Sequence, residues 1–181
     1  MNLEQLQNLT EALRFYKQRG YHEIEAPWIV SKAAIAATIP PGARSMDVLD
    51  HGSLVASGEQ SFVELWLESK LPNGKYCCCT PCFRDEPVIS DLTRLYFTKV
   101  ELIEVGELTF LKNTVTDAFD FHKYHIPNVK IVDTEIGFDI FSGNIELGSY
   151  GYRAFGKMSW VYGTGCAEPR FSFCKNILKR F

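Results

Sequence analysis

No run of apolar residues in these 181 positions approaches the roughly 20 that a membrane helix needs, and the opening MNLEQLQNLTEALRFYKQRG is too charged for a signal peptide. A cytoplasmic protein without membrane contact is expected. Lysine and arginine form no block and the net charge is -3, which argues against a surface built to neutralise nucleic-acid phosphates broadly. Internal repeats and low-complexity tracts are missing too. Histidine is scarce, and His51, His122 and His125 have no carboxylate or serine at a telling spacing, so they read as surface or internally satisfied side chains. A zinc site lacks its second half. Cys79 and Cys82 make a Cys-x-x-Cys, but Cys166 and Cys174 do not repeat it, and the consecutive Cys77, Cys78 and Cys79 would alternate faces along a strand. Buried reduced thiols are expected.

What is present suits one domain over residues 1–181, with 46% hydrophobic composition to fill a core. Leu3, Leu6, Leu9, Leu13 and Tyr16 recur at helical spacing up to Gly20. An extended segment with Pro27 follows, then a short helix capped by Ser31 and a Pro-Pro-Gly loop. Ser57-Gly-Glu opens another helix carrying Phe62, Leu65, Trp66 and Leu67, and residues 110–125 from Phe110 onward predict one more, ending before Pro127. Trp28, Trp66 and Trp160 are expected in the core.

The segments YCCCTPCFRDE and RLYFTKVELIEVGEL read as two strands of an antiparallel hairpin joined by residues 87–93. VKIVDTEIGFDIF and GNIELGSYGYRAF read as two more about Ser142-Gly143-Asn144, and MSWVYGTGCAEPRFSFCKNILKRF as a glycine loop leading into a C-terminal helix. Strands in series with helices at the ends and on one face predict an α+β antiparallel sheet.

Within the hairpin, a period of two lets Arg84 and Glu86, and likewise Phe97, Lys99 and Glu101, share a face of the sheet. Such a face suits a nucleotide: an arginine for a phosphate, a ring to stack a base, a carboxylate to accept from an exocyclic amine. A solvated face with cross-strand ion pairs fits the same pattern. Lys99 reads equally as a surface or ion-paired lysine or as a phosphate contact.

Order along the chain separates the two. Phe83-Arg84-Asp85-Glu86, a loop and a returning Phe97-Thr98-Lys99-Val100-Glu101 resemble motif 2 of class II aminoacyl-tRNA synthetases, and most of all the seryl-tRNA synthetase branch. GYHEIEAPWIVSKAAI, with Pro27, looks like motif 1. LVASGEQ stands where seryl enzymes carry Thr-Ala-Glu, ELGSYGYR resembles their magnesium-binding strand, and YGTGCAEPRF resembles motif 3. Motif 1 would span about 19–35, motif 2 about 76–105 and motif 3 about 160–181.

The resemblance implies a sheet of six to seven antiparallel strands flanked by helices, and ATP-dependent activation of an amino acid through an aminoacyl adenylate. Arg84 would meet the α-phosphate and Arg170 the γ-phosphate. Phe97 and Arg170 would sandwich the adenine, Glu86 would read its amino group, and Arg94 would reach the terminal phosphates. Glu146 and Ser149 would hold Mg2+. Ser57, Glu59 and Glu101 would receive the amino acid, a small polar one fitting best, while zinc there is not expected because Ser57 takes the place of the first cysteine ligand. A homodimer through motif 1 is implied. With only about 20 residues before motif 1, no counterpart of the helical tRNA-binding arm of seryl enzymes is expected, which favours a carrier protein or small molecule as acceptor. The alternatives are a minimal synthetase that uses tRNA and a non-catalytic paralogue acting as a binding subunit.

Overall fold

The computed structural model describes residues 1–106 and 111–177. Phe110 and residues 178–181, the end of the expected motif 3 segment, lie outside the described residues. The chain opens with α1 (Leu3–Gln18), whose N-terminus is closed reciprocally by Asn2 and Gln5. The short strands β1 (His22–Glu23) and β2 (Ile29–Val30) lead into α2 (Lys32–Ala36), capped by Ser31. After β3 (Met46–Val48), β4 (Gly52–Leu54) and α3 (Gly58–Leu67) come the two long strands β5 (Gly74–Phe83) and β6 (Tyr96–Val105). The remainder is α4 (Leu111–His125), β7 (Val129–Thr134), β8 (Gly137–Ser142), β9 (Ile145–Phe155), β10 (Met158–Glu168) and α5 (Arg170–Ile177).

Seven strands form one sheet in the order β1-β5-β6-β10-β9-β8-β7, antiparallel throughout except for β1 beside β5. A small sheet, β2-β4-β3, lies apart. This is the expected α+β architecture of a mainly antiparallel sheet flanked by helices. The alternation of β5 sorts its cysteines: Cys77 joins the core under α1 and α4, Cys79 packs at its margin, and Cys78 joins a second core under α2 and α3. Burial pushes the Cys77 thiol up to about 12 and Cys79 to about 11, so both stay protonated and unreactive.

Three local readings change. The segment 129–142 is a hairpin of two strands rather than one, because Glu135 and Ile136 turn the chain before Gly137. Residues 158–168 form the continuous strand β10 rather than a glycine loop. Trp28 is 56% exposed, whereas Trp160 is fully buried and Trp66 packs at the margin of the second core.

The glycines of β9 and β10 make room for rings. A Cβ at Gly163 would lie 2.5 Å from Tyr150 Cδ1, one at Gly151 2.5 Å from the Tyr162 hydroxyl, and one at Gly165 2.6 Å from Tyr16 Cε2. Tyr16 donates to the Gly165 carbonyl (2.8 Å) and Tyr150 to that of Thr164 (2.6 Å), at the register shift between Thr164 and Cys166 where Gly165 is the extra residue. The end of β10 is tied down from α1 and α5. Asn8 Nδ2 and Ser172 Oγ both donate to Glu168 Oε1, at 2.9 and 2.8 Å, and Lys175 donates to Asn8 Oδ1 (2.8 Å). Arg170 therefore starts α5 from a fixed base.

Candidate active site

The sheet face opposite α1 and α4 is only partly covered by α2, α3 and the small sheet. The rest is a pair of joined clefts. One, of about 60 Å³, is lined by Arg84, Glu86, Arg94, Phe97, Glu146 and Arg170 among others. The other, of about 710 Å³, is lined by residues including Ser57, Glu59, Glu101, Ser149 and Arg153, and shares Arg84, Glu86, Lys99, Glu146 and Thr164 with the first. All the residues expected to bind ATP, amino acid or metal thus line one of two connected cavities.

Ladder register explains the convergence. Cys82 pairs with Phe97, Thr80 with Lys99 and Cys78 with Glu101, so Phe97, Lys99 and Glu101 stand on one face of β6. Arg84 and Glu86 lie just beyond the end of β5 rather than in it. The Arg84 amide still donates to the Leu95 carbonyl (2.8 Å), which carries the pairing one step further. The Arg84 side chain is held twice: Nε donates to the Ala56 carbonyl (3.1 Å), and the guanidinium lies 5.0 Å from the centroid of the Phe97 ring. No hydrogen bond engages its outer N–H groups among the described residues.

Glu146 and Ser149 are three apart, a spacing that an unbroken strand would place on opposite faces. A bulge corrects this. Gly148 pairs with Ile140 and Glu146 with Phe141, leaving Leu147 without a partner and buried in the core, so both oxygen side chains reach the larger cleft. Across the smaller cleft, Arg170 lies 3.3 Å from the Glu146 carbonyl and 3.5 Å from its carboxylate, long contacts that a ligand can replace.

The larger cleft has a charged floor. Ser57 Oγ and Lys99 Nζ both donate to Glu101 Oε2 at 2.7 Å, and Oε1 has no partner among the described residues. Lys99 is ion-paired but buried rather than on the surface. Glu59, expected to receive the amino acid, lines the larger cleft and carries protein partners of its own. Trp160 Nε1 donates to its Oε1 (2.7 Å) and Arg153 to its Oε2 (2.6 Å), so both oxygens are already engaged. Arg153 lies 4.5 Å from the centroid of the Tyr162 ring. Neither Arg153 nor Trp160 stands out in the sequence, since their meeting depends on Arg153 pairing with Trp160 across β9 and β10.

Burial pushes Glu59 up to about 7, against the opposing pull of Arg153, Trp160 and Lys99 and with the help of Glu101. The folded-state value lies above the usual 4.5, so this group's contribution to stability is fully present below pH 4.5 and is lost as pH rises through 7. The loss should be on the order of 3 kcal/mol. His122 acts with the opposite sign, because burial holds it down to about 3 and stability is lost as pH falls below 6.5. Glu59→Gln leaves His122 in place, so urea denaturation of wild type and variant at pH 5 and pH 8 should isolate the effect. Equal pH dependence in the two proteins would contradict it.

No known protein family matches the sequence, and no curated protein matches it either. Solved structures do. Pyrrolysyl-tRNA synthetase from Desulfitobacterium hafniense is similar at TM-score 0.70 and 20% identity, over 96% of this chain and 68% of that one. Seryl-tRNA synthetase from Pyrococcus horikoshii, solved with ATP, is similar at TM-score 0.75 and 14% identity, over 94% of this chain and 49% of that one. The cytoplasmic serine-tRNA ligase of Naegleria fowleri, solved with AMP, gives TM-score 0.71 and 16% identity, over 91% of this chain and 46% of that one. The chain therefore has the fold of a class II aminoacyl-tRNA synthetase catalytic core, and it spans about half the length of these two seryl enzymes.

Proposed function

We propose that this protein activates an amino acid with ATP, forming an aminoacyl adenylate and releasing pyrophosphate. The observation that carries this reading is the pair of joined clefts, one with three arginines around a small cavity and the other with an open carboxylate oxygen on Glu101. The substrate carboxylate attacks the α-phosphorus, the bond to the bridging oxygen of pyrophosphate breaks, and the electron pair leaves with pyrophosphate. Protein groups position the reactants and neutralise charge.

Arg84 holds the α-phosphate with its outer N–H groups while Phe97 and Ala56 fix its plane. Arg170 and Phe97 enclose the adenine, with Arg170 also reaching the γ-phosphate, Glu86 accepts from the adenine amino group, and Arg94 approaches the terminal phosphates. Glu101, steadied by Ser57 and Lys99, receives the α-ammonium at Oε1. The Glu146 carboxylate and Ser149 hydroxyl suit Mg2+, which is bound through one or two protein oxygens together with substrate phosphates rather than in a closed protein cage. When bound, the ion would neutralise charge on the phosphates.

An acceptor other than full-length tRNA, a carrier protein or a small molecule, completes the reading. The segment 84–95 between β5 and β6 supports it: besides the inward-facing Arg84 it holds Asp85, Glu86 and Asp91 against the one exposed cation Arg94, a balance ill suited to a phosphate backbone. A homodimer is proposed on the groove of about 1190 Å³ lined by residues 20–29, where Trp28 and Ile29 are exposed, 56% and 42% respectively. Sedimentation should give twice the 20.6 kDa chain mass, and a monomer at micromolar concentration would refute it. The activation reading is tested by ATP–pyrophosphate exchange with each amino acid in turn. Exchange with at least one is expected, and exchange with none counts against it.

A further inference from the structure

We propose that Arg153 reads the side chain of the activated amino acid, and that this side chain ends in a carboxylate. The proposal rests on the activation reading and narrows its substrate. Four charged groups meet on the floor of the larger cleft: Glu59, Glu101, Lys99 and Arg153. The two carboxylates are not equivalent. Glu59 carries one hydrogen bond on each oxygen, from Trp160 and Arg153, so neither oxygen is open to a substrate without sharing. Glu101 has one oxygen committed to Ser57 and Lys99 and the other open. The ammonium end of the substrate is thereby assigned to Glu101, and Glu59 is left as the support for Arg153.

Arg153 is placed to use that support. It projects from β9 opposite Trp160, lies on the ring of Tyr162, and gives one guanidinium nitrogen to Glu59. No other hydrogen bond engages it among the described residues, and its side chain is 33% exposed in a cleft of about 710 Å³. A planar guanidinium fixed at one edge and stacked on a ring presents its remaining donors as a fork, the geometry that binds a carboxylate with two parallel hydrogen bonds. A short aliphatic or hydroxyl side chain would leave those donors without an acceptor, which makes the site selective against it.

Charge balance requires one adjustment. Lys99 and Arg153 offset Glu101 and Glu59, so a zwitterionic amino acid adds no net charge, whereas an acidic one adds one negative charge to a buried site. Glu59 can compensate, because burial already brings it to about 7 and a second carboxylate at Arg153 favours its protonated form further.

The test is ATP–pyrophosphate exchange by the whole chain across the twenty amino acids. Aspartate or glutamate should give a kcat/KM at least ~100-fold above asparagine, glutamine and serine. Arg153→Gln should remove at least ~100-fold of the rate with the acid and shift preference toward the carboxamide, and Arg153→Lys should restore part of it. Because Arg153→Gln leaves Glu59 without its cation, the double variant Arg153→Gln/Glu59→Gln is measured alongside, with circular dichroism to confirm folding. Exchange with a neutral amino acid only would overturn the side-chain proposal and leave activation standing. Exchange with none would defeat activation, and calorimetric titration of L-aspartate and L-glutamate then decides the rest. Binding lost in the Arg153→Gln protein upholds the carboxylate site, and absence of binding to the wild type overturns it.

Discussion

Arg84→Ala should lower ATP–pyrophosphate exchange by about 10²–10³-fold or more while the protein stays folded. The expected loss is large because the side chain does its work before the ligand arrives. Nε is spent on the Ala56 carbonyl and the guanidinium face on Phe97, which fixes the plane of the outer N–H groups; in the proposed reaction they would meet the negative charge developing on the α-phosphate. A preorganised donor is worth more at such a point than one that must be ordered during the reaction. Arg84→Lys sharpens the prediction. It keeps the charge but loses both the Ala56 hydrogen bond and the planar fork, and should recover only a small part of the rate. The cost to stability should be small, since Arg84 is half-buried beyond the end of β5 and contributes one hydrogen bond at 3.1 Å. Thermal melting within a few degrees of wild type, with exchange nearly gone, is the expected pair of results. Undiminished exchange would show that Arg84 is not at the reacting phosphate.

How far the site could be read from the sequence depends on whether the groups lie on one strand or on several. Phe97, Lys99 and Glu101 were legible because a period of two needs only a strand, and β6 is a regular one. Arg84 and Glu86 were legible as a pair, although they sit past the strand end, because the pairing of Arg84 with Leu95 continues the ladder. Glu146 and Ser149 came only from resemblance. Their spacing contradicts a regular strand, and the bulge at Leu147 that reconciles them leaves no mark in the local sequence. The partners of Glu59 were hidden for a different reason. Trp160 and Arg153 belong to neighbouring strands, and their meeting with α3 is set by register and by the layer of helices. Tertiary ion pairs of this kind have no short-range signature. The hairpin turn at Glu135 and Ile136 was missed because neither residue is a usual turn former.

The glycines of β10 show a misreading with a physical lesson, and they support the second large effect. Gly163→Val should unfold the protein or cost about 3 kcal/mol or more. The glycines before the C-terminal helix read as a loop, yet Gly163 lies inside a strand and the place of its missing side chain is taken by a ring. The first added carbon would stand 2.5 Å from Cδ1 and 2.9 Å from Cε1 of Tyr150, and 3.1 Å from Thr114 Cγ2. Tyr150 cannot step aside. It is 1% exposed, its hydroxyl donates to the Thr164 carbonyl at 2.6 Å, and at Gly148 a Cβ would meet that same hydroxyl at 2.6 Å. The ring is enclosed by glycines of two adjacent strands, one residue away from the register shift that sets Thr164 in the cleft. Displacing it therefore loses core packing and disturbs the lining of the larger cleft together. Tyr150→Leu in the Gly163→Val background removes the obstructing ring atoms and should recover at least ~1 kcal/mol, measured by urea denaturation as a double-mutant cycle. Additive losses would mean that the clash is relieved elsewhere and that the two residues are not coupled through this contact.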